Sequence, residues 1–112
     1  MANVRSSKAK GRRLQNYVRD LLRSLFKNKL DEDDIKSQTM GMNGEDIVLS
    51  PAARKLFPYS IECKNVEKIS IWKAIKQAES NTAKGTTPLL IITRNRTPTY
   101  VVENIEDWIK KI

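Results

Sequence analysis

The chain has 112 residues, 21 Lys and Arg against 13 Asp and Glu, one cysteine, no histidine and a net charge of +8. That length, with 39% hydrophobic residues, suits one domain around one modest core, and the charge points to a polyanionic partner such as nucleic acid. The absence of histidine excludes Ser-His-Asp and Cys-His nucleophilic sites, His-metal nucleases and His-Cys zinc sites, and a single cysteine makes neither an internal disulfide nor a zinc cluster.

Residues 1–11 are polar and basic, with Arg5, Lys8, Lys10 and Gly11 ahead of any periodic pattern, and read as a flexible basic arm able to track phosphates. From Arg12 to about Lys29, Leu14, Val18, Leu21, Leu22, Leu25 and Phe26 recur at helical spacing. This predicts an amphipathic helix whose basic residues, Arg12 and Arg13 among them, lie on the other side. Leu30-Asp31-Glu32-Asp33-Asp34 reads as a solvated acidic loop. After Ile35, residues 36–44 carry small polar residues and two glycines, fit either to lie close to a phosphate backbone or to turn the chain into a strand.

Gly44-Glu45-Asp46-Ile47-Val48-Leu49 begins a strand, and Tyr59-Ser60-Ile61-Glu62-Cys63-Lys64-Asn65 forms another. Between them Ser50 as cap, Pro51 at the first helical position and two alanines predict a short helical turn closed by Pro58. Its Arg54 and Lys55 are expected near the mouth of a site, on the phosphate backbone. At a period of two, Ile61 and Cys63 share one strand face while Glu62 and Lys64 share the other, about 6–7 Å apart. If the two runs pair as a wide antiparallel hairpin, the Asp46 carboxylate comes alongside Glu62. Cys63 reads as a small core residue of a reducing cytoplasm.

Ile71, Trp72, Ile75 and Ala78 follow Ser70 as the stripe of a second helix. Pro88-Leu89-Leu90-Ile91-Ile92-Thr93 is a continuous apolar run expected of a central strand buried on both faces. A turn at 94–98, a returning strand at 99–102 and a short helix striped by Ile105, Trp108, Ile109 and Ile112 close the chain. Trp72 and Trp108 are assigned to the core or to a dimer contact. The element order predicts an α/β sandwich with a mixed sheet, the strand after the second helix entering by a right-handed crossover. No apolar run is long enough for a membrane span and no signal segment is visible, so the expected place is the cytoplasm, with no membrane partner.

Two carboxylates and a lysine in one patch suit Mg²⁺ or Mn²⁺, which take oxygen ligands and accept phosphate oxygens. Such a patch fits phosphodiester hydrolysis, with Lys64 steadying the attacking water or the developing charge. Glu-x-Lys on a strand is also the pattern of a solvated ion pair worth less than about 1 kcal/mol. The upstream Gly-Glu-Asp adds weight to the functional reading.

The arrangement of Asp46, then about sixteen residues, then Glu62-Cys63-Lys64 resembles the PD-(D/E)xK nuclease superfamily, and within it the small Holliday-junction resolvases of archaea and phages. The resemblance implies a restriction-endonuclease-like mixed β-sheet flanked by helices and a metal-dependent endonuclease acting on branched DNA. It implies Mg²⁺, with Mn²⁺ able to substitute, held by Asp46, Glu62 and the Cys63 backbone carbonyl, and Lys64 acting on the nucleophilic water. The related resolvases open their first helix with Lys-Gly and then place a glutamate at the metal. Here Lys10-Gly11 keeps the opening and Gln15 stands where the acid is expected, a neutral amide able to bind a metal-held water or a phosphate oxygen. Gln77 matches a glutamine that many of these nucleases carry on the helix after the E-x-K strand. Cutting a four-way junction at two symmetry-related places implies a two-fold homodimer. Two rivals stand beside this reading: a non-catalytic nucleic-acid-binding protein with a nuclease-like fold, and a nuclease acting on another DNA structure.

Overall fold

A computed structural model of the chain describes residues 4–39 and 41–112. Helix α1 spans Val4–Leu25 and buries Leu14, Gln15, Val18 and Leu22 along one stripe, with Phe26 packed just beyond its end. Leu21 and Leu25, expected on that stripe, are exposed, because the buried positions recur at every fourth residue and these two fall beside the line. The arm expected over residues 1–11 is helical from Val4 onward. Lys8, Ala9 and Lys10 are good helix formers, and the one weak position, Gly11, follows a carbonyl fastened from outside: Asn65 Nδ2 donates to the Lys10 carbonyl at 2.9 Å. The first three residues of that arm, and Met40 of the loop at 36–44, lie outside the described residues.

The acidic stretch forms a 3₁₀ turn at Glu32–Asp34. It leads into a strand that composition hid, β1 (Ile35–Ser37), which pairs antiparallel with β2 (Ile47–Leu49) in the register Ile35 to Leu49 and Ser37 to Ile47. Helix α2 (Pro51–Leu56) has the cap expected: Ser50 Oγ accepts from the Ala53 N–H at 3.1 Å and itself donates to Asp34 Oδ1 at 2.6 Å.

The main sheet holds β3 (Tyr59–Asn65), β4 (Thr87–Thr93) and β5 (Tyr100–Val102) in that order. β3 and β4 run parallel, joined through α3 (Ile71–Ser80), and β5 returns antiparallel to β4, so the sheet is mixed as expected. The β2 and β3 runs do not pair as a ladder. Among the described residues one main-chain bond joins them, from the Asp46 N–H to the Ile61 carbonyl at 2.9 Å, while β2 takes β1 as its ladder partner.

Two apolar layers sandwich the sheet. Leu14, Val18 and Leu22 of α1 meet Ile35, Ile47, Leu49, Ile61, Cys63, Leu89 and Ile91 on one face. On the other, Ala74 and Ala78 are small enough to bring α3 against Leu90, with Ile71, Ile75, Ile92 and Val102 around them. The family of alternating side chains along β3 thus divides as the period of two requires: Ile61 and Cys63 go to the α1 layer, which leaves Glu62 and Lys64 for the α3 side. Helix α4 (Ile105–Ile109) is capped by Asn104, whose Oδ1 accepts from the Glu106 N–H at 2.8 Å, and buries none of its residues. Among the described residues no helix is long and apolar enough to cross a membrane.

Candidate active site

Asp46 is fixed from three directions at the outer edge of β3. Its N–H donates to the Ile61 carbonyl at 2.9 Å, its own carbonyl accepts from the Gln38 N–H at 2.8 Å, and its Oδ2 accepts from the Cys63 N–H at 2.7 Å. The chain reaches this point through Gly44, whose φ of +98° lies in the left-handed region that a side chain would strain. Beside Asp46, Arg54 forms an ion pair with Glu45 and also donates to the Tyr59 carbonyl at 3.4 Å. Helix α2 therefore clamps the approach to β2 from outside.

Glu62, two residues before Lys64 on the same strand face, is 3% exposed. That figure decides against a solvated Glu62–Lys64 ion pair, and none joins these two side chains. Burial first, then the neighbouring Asp46 carboxylate, push the Glu62 carboxyl up to about 7, with Lys64 and the Asn81 amide pulling it partly back. Asn81 Nδ2 donates to Glu62 Oε1 at 3.4 Å. The loop after Asn81 is pinned to the same strand: Ser60 Oγ accepts from the Ala83 N–H at 2.9 Å and shares a hydrogen bond with Thr86 Oγ1 at 2.7 Å. Burial also raises the Cys63 thiol well above its ordinary value, which keeps it an inert core group.

Gln15 is 6% exposed, and its Oε1 is a buried oxygen with no hydrogen-bond partner. Its surroundings are bracketed by two contacts of α1. Asn65 at the end of β3 holds Lys10, and Ser37 Oγ donates to Asn16 Oδ1 at 2.8 Å, with Ser37 paired to Ile47 next to Asp46.

These residues fit a hard divalent cation. Two adjacent carboxylates in a buried setting repel each other, as the raised proton affinity of Glu62 records, and a cation between them relieves that repulsion. The Cys63 N–H points at Asp46, and in an extended strand the N–H and C=O of one residue share an edge, so the Cys63 carbonyl faces the same way. Among the described residues no three Asp, Glu, Cys or His side chains converge on one point. Oxygens beyond the two carboxylates have to come from neutral groups and water.

The other expected site residues are scattered. Gln77 is exposed on α3, whose inward positions are Ala74 and Ala78, and the side chain reaching Glu62 is Asn81, one helical turn later. The sequence gives no separate signal for Asn81; an asparagine closing a helix is first of all a cap. Arg54 turns inward to Glu45, while Lys55 stays exposed. Lys8, Arg12 and Arg13 are exposed along the start of α1, and Lys10 is paired with Glu67 at 2.9 Å. The same Glu67 oxygen accepts from the Asn95 N–H at 2.8 Å, so α1, the end of β3 and the β4–β5 turn meet at one carboxylate.

No curated protein and no solved structure matches the chain. A family model described as "Phage putative PDDEXK endonuclease" matches residues 6–112, which include both carboxylates, the lysine and every element described above except the first two residues of α1. PDDEXK nucleases act on DNA and generally use divalent metals. With Asp46, Glu62 and Lys64 brought together at the edge of a mixed sheet, and with that match over nearly its whole length, the chain belongs to the phage PDDEXK endonuclease family.

Proposed function

We propose that the chain is a single nuclease domain that hydrolyses phosphodiester bonds of DNA in a Mg²⁺-dependent reaction, with a four-way junction as substrate. The observation that carries the chemistry is the convergence of Asp46 and Glu62 at the Cys63 peptide with Lys64 on the adjoining strand position. Asp46, Glu62 and the Cys63 carbonyl would hold Mg²⁺, or Mn²⁺ in its place, which when bound supplies positive charge opposite the scissile phosphate. Lys64 orients the attacking water and offers its ammonium to the negative charge that gathers on the phosphoryl oxygens. Gln15 contributes a neutral oxygen from α1 where related resolvases place an acid, and Asn81 holds the Glu62 carboxylate in place. Lys8, Arg12, Arg13 and Lys55 bind the phosphate backbone. Gln77, exposed on α3, would hold a phosphate or the attacking water once DNA is bound.

The junction comes from the resemblance to small resolvases, and it brings two copies related by a two-fold axis, working in the cytoplasm of the host cell. A non-catalytic DNA-binding role draws on one specific observation, that among the described residues no third acid joins the two carboxylates and Gln15 stands where one is expected. One experiment separates the readings: a labelled immobile four-way junction and a matched linear duplex, each with Mg²⁺ or EDTA, cut by the wild type and by Lys64→Ala. Paired symmetric nicks on the junction alone, lost with EDTA and in the variant, are expected. Equal cutting of the duplex would discard the junction and keep the chemistry; binding without cutting under any divalent metal would discard the enzyme.

A further inference from the structure

No residue of the apolar stripe of α4 is buried among the described residues. Ile105, Trp108, Ile109 and Ile112 recur at helical spacing, the pattern of a helix that buries one face, yet they are 69%, 48%, 55% and 86% exposed. Beside them lies β5, the edge strand of the sheet among the described residues, whose Val101 is 58% exposed on the same side, while Tyr100, equally exposed, faces the other side of the sheet with Val66, Ile69 and Ile92. Val101, Ile105 and Trp108 line one continuous hollow with Phe57, Tyr59 and Leu89, which joins strand and helix into a single surface. An open strand edge next to exposed isoleucines is a surface that proteins ordinarily cover.

We infer that β5 and α4 form the contact through which two copies of this chain associate about a two-fold axis. The inference deepens the two-copy part of the proposed function and stands apart from the choice of DNA substrate. Three observations select a second copy as the occupant. The first is area: at about 200 Å² for a large side chain, the exposures of Val101, Ile105, Trp108, Ile109 and Ile112 amount to roughly 630 Å² per protomer, so two copies reach the lower end of the ~1,200–2,000 Å² that a stable interface buries in total. The second is charge. In a chain of net +8, residues 103–112 carry three acids and two lysines, so this is a poor seat for DNA and leaves the basic positions of α1 free for it. The third is self-complementarity. Glu106 and Asp107 lie at the start of α4 and Lys110 just past its end, so two such helices packed antiparallel set acids against lysines in both halves of the contact.

Sheet order then places the sites. Asp46 docks on the free edge of β3, the opposite side of the sheet from β5, so association through β5 leaves both carboxylate pairs facing outward.

The test is sedimentation velocity on the full chain without DNA, from micromolar to submillimolar concentration. The wild type is expected to sediment as a dimer. Ile109→Glu, a change at a half-exposed position, is expected to raise the dissociation constant about 30-fold or more, with an unchanged circular dichroism spectrum. Lys110→Glu is expected to weaken association and the double variant Glu106→Lys with Lys110→Glu to restore it, a recovery that a folding defect would not give. A monomeric wild type at all concentrations, or a dimer indifferent to Ile109→Glu and to the charge exchange, would overturn the inference. Because mass is read without substrate, a protein that dimerises and cuts nothing supports this contact and sinks the nuclease reading instead.

Discussion

Replacing Glu62 by glutamine removes the group whose proton affinity has moved into the neutral range, and its consequence for stability follows from linkage. The Glu62 carboxyl rises from an ordinary 4.5 to about 7 in the folded chain, through burial first and the Asp46 charge second. Below 4.5 the folded and unfolded chains both hold the proton. Between 4.5 and 7 the folded chain alone keeps it, so stability falls as pH climbs, and above 7 the fold carries the full cost of a buried carboxylate beside another. At ~1.4 kcal/mol for each pH unit, that cost is about 3 kcal/mol. No other shifted group interferes: Asp20, Asp34 and Glu67 are displaced downward, Cys63 and Lys111 upward from values already alkaline. Urea unfolding of the metal-free protein at about pH 5 and about pH 8 should therefore show the wild type losing about 2–3 kcal/mol relative to Glu62→Gln, part of the cost being already present at the lower pH. Adding Mg²⁺ or Mn²⁺ near the higher pH should recover much of that loss in the wild type and little in the variant, since only the ionised pair attracts the cation. A difference between the two proteins that is the same at both pH values, or an equal gain from metal in both, would refute the assignment of a strained carboxylate pair.

Lys64→Ala should lower the cleavage rate by about 100-fold or more while leaving DNA affinity close to that of the wild type, measured by single-turnover cutting beside a binding titration. Arg54→Ala should cost about 1–3 kcal/mol of stability by leaving the Glu45 carboxylate without its cation, yet leave the salt dependence of DNA binding unchanged. Lys55→Ala should do the reverse, with stability within about 0.5 kcal/mol and a log–log salt slope smaller by about 1. Asn81→Ala withdraws a hydrogen bond that favours the charged form of Glu62, so the fall in stability should begin at the same pH and continue to higher pH, seen by repeating the unfolding series.

The acid–lysine strand was legible because a period of two and a three-residue spacing are both local properties, and Glu62, Cys63 and Lys64 divide between the faces as those properties demand. The Ser50 and Pro51 start of α2 was legible for the same reason. What escaped depended on contacts between distant segments. Residues 35–37 form a strand only because Ile47–Leu49 offers an edge, and a single isoleucine followed by polar residues carries no strand pattern of its own. Arg54 reads as a phosphate contact because nothing local shows that Glu45, nine positions earlier, comes within its reach. The inward turn of Asn81 in place of Gln77 rests on where the loop pinned by Ser60 leaves α3. The stripe of α4 was read correctly as a pattern, but a pattern of this kind names a face to be covered without naming what covers it.

The bond between Asp46 Oδ2 and the Cys63 N–H bears on metal selectivity. One oxygen of that carboxylate is already engaged at 2.7 Å, which leaves Oδ1 as the free donor and favours single-oxygen ligation. Ca²⁺ gathers six to eight oxygens and commonly takes both from one carboxylate, whereas Mg²⁺ accepts one per carboxylate and fills its octahedron with water. A cation held by Asp46 and Glu62 would have few protein oxygens around it, and would supply positive charge for a phosphate oxygen on its open side. If this pair holds the cation proposed for it, the hydrogen bond from the Cys63 N–H would thus also disfavour Ca²⁺ relative to Mg²⁺.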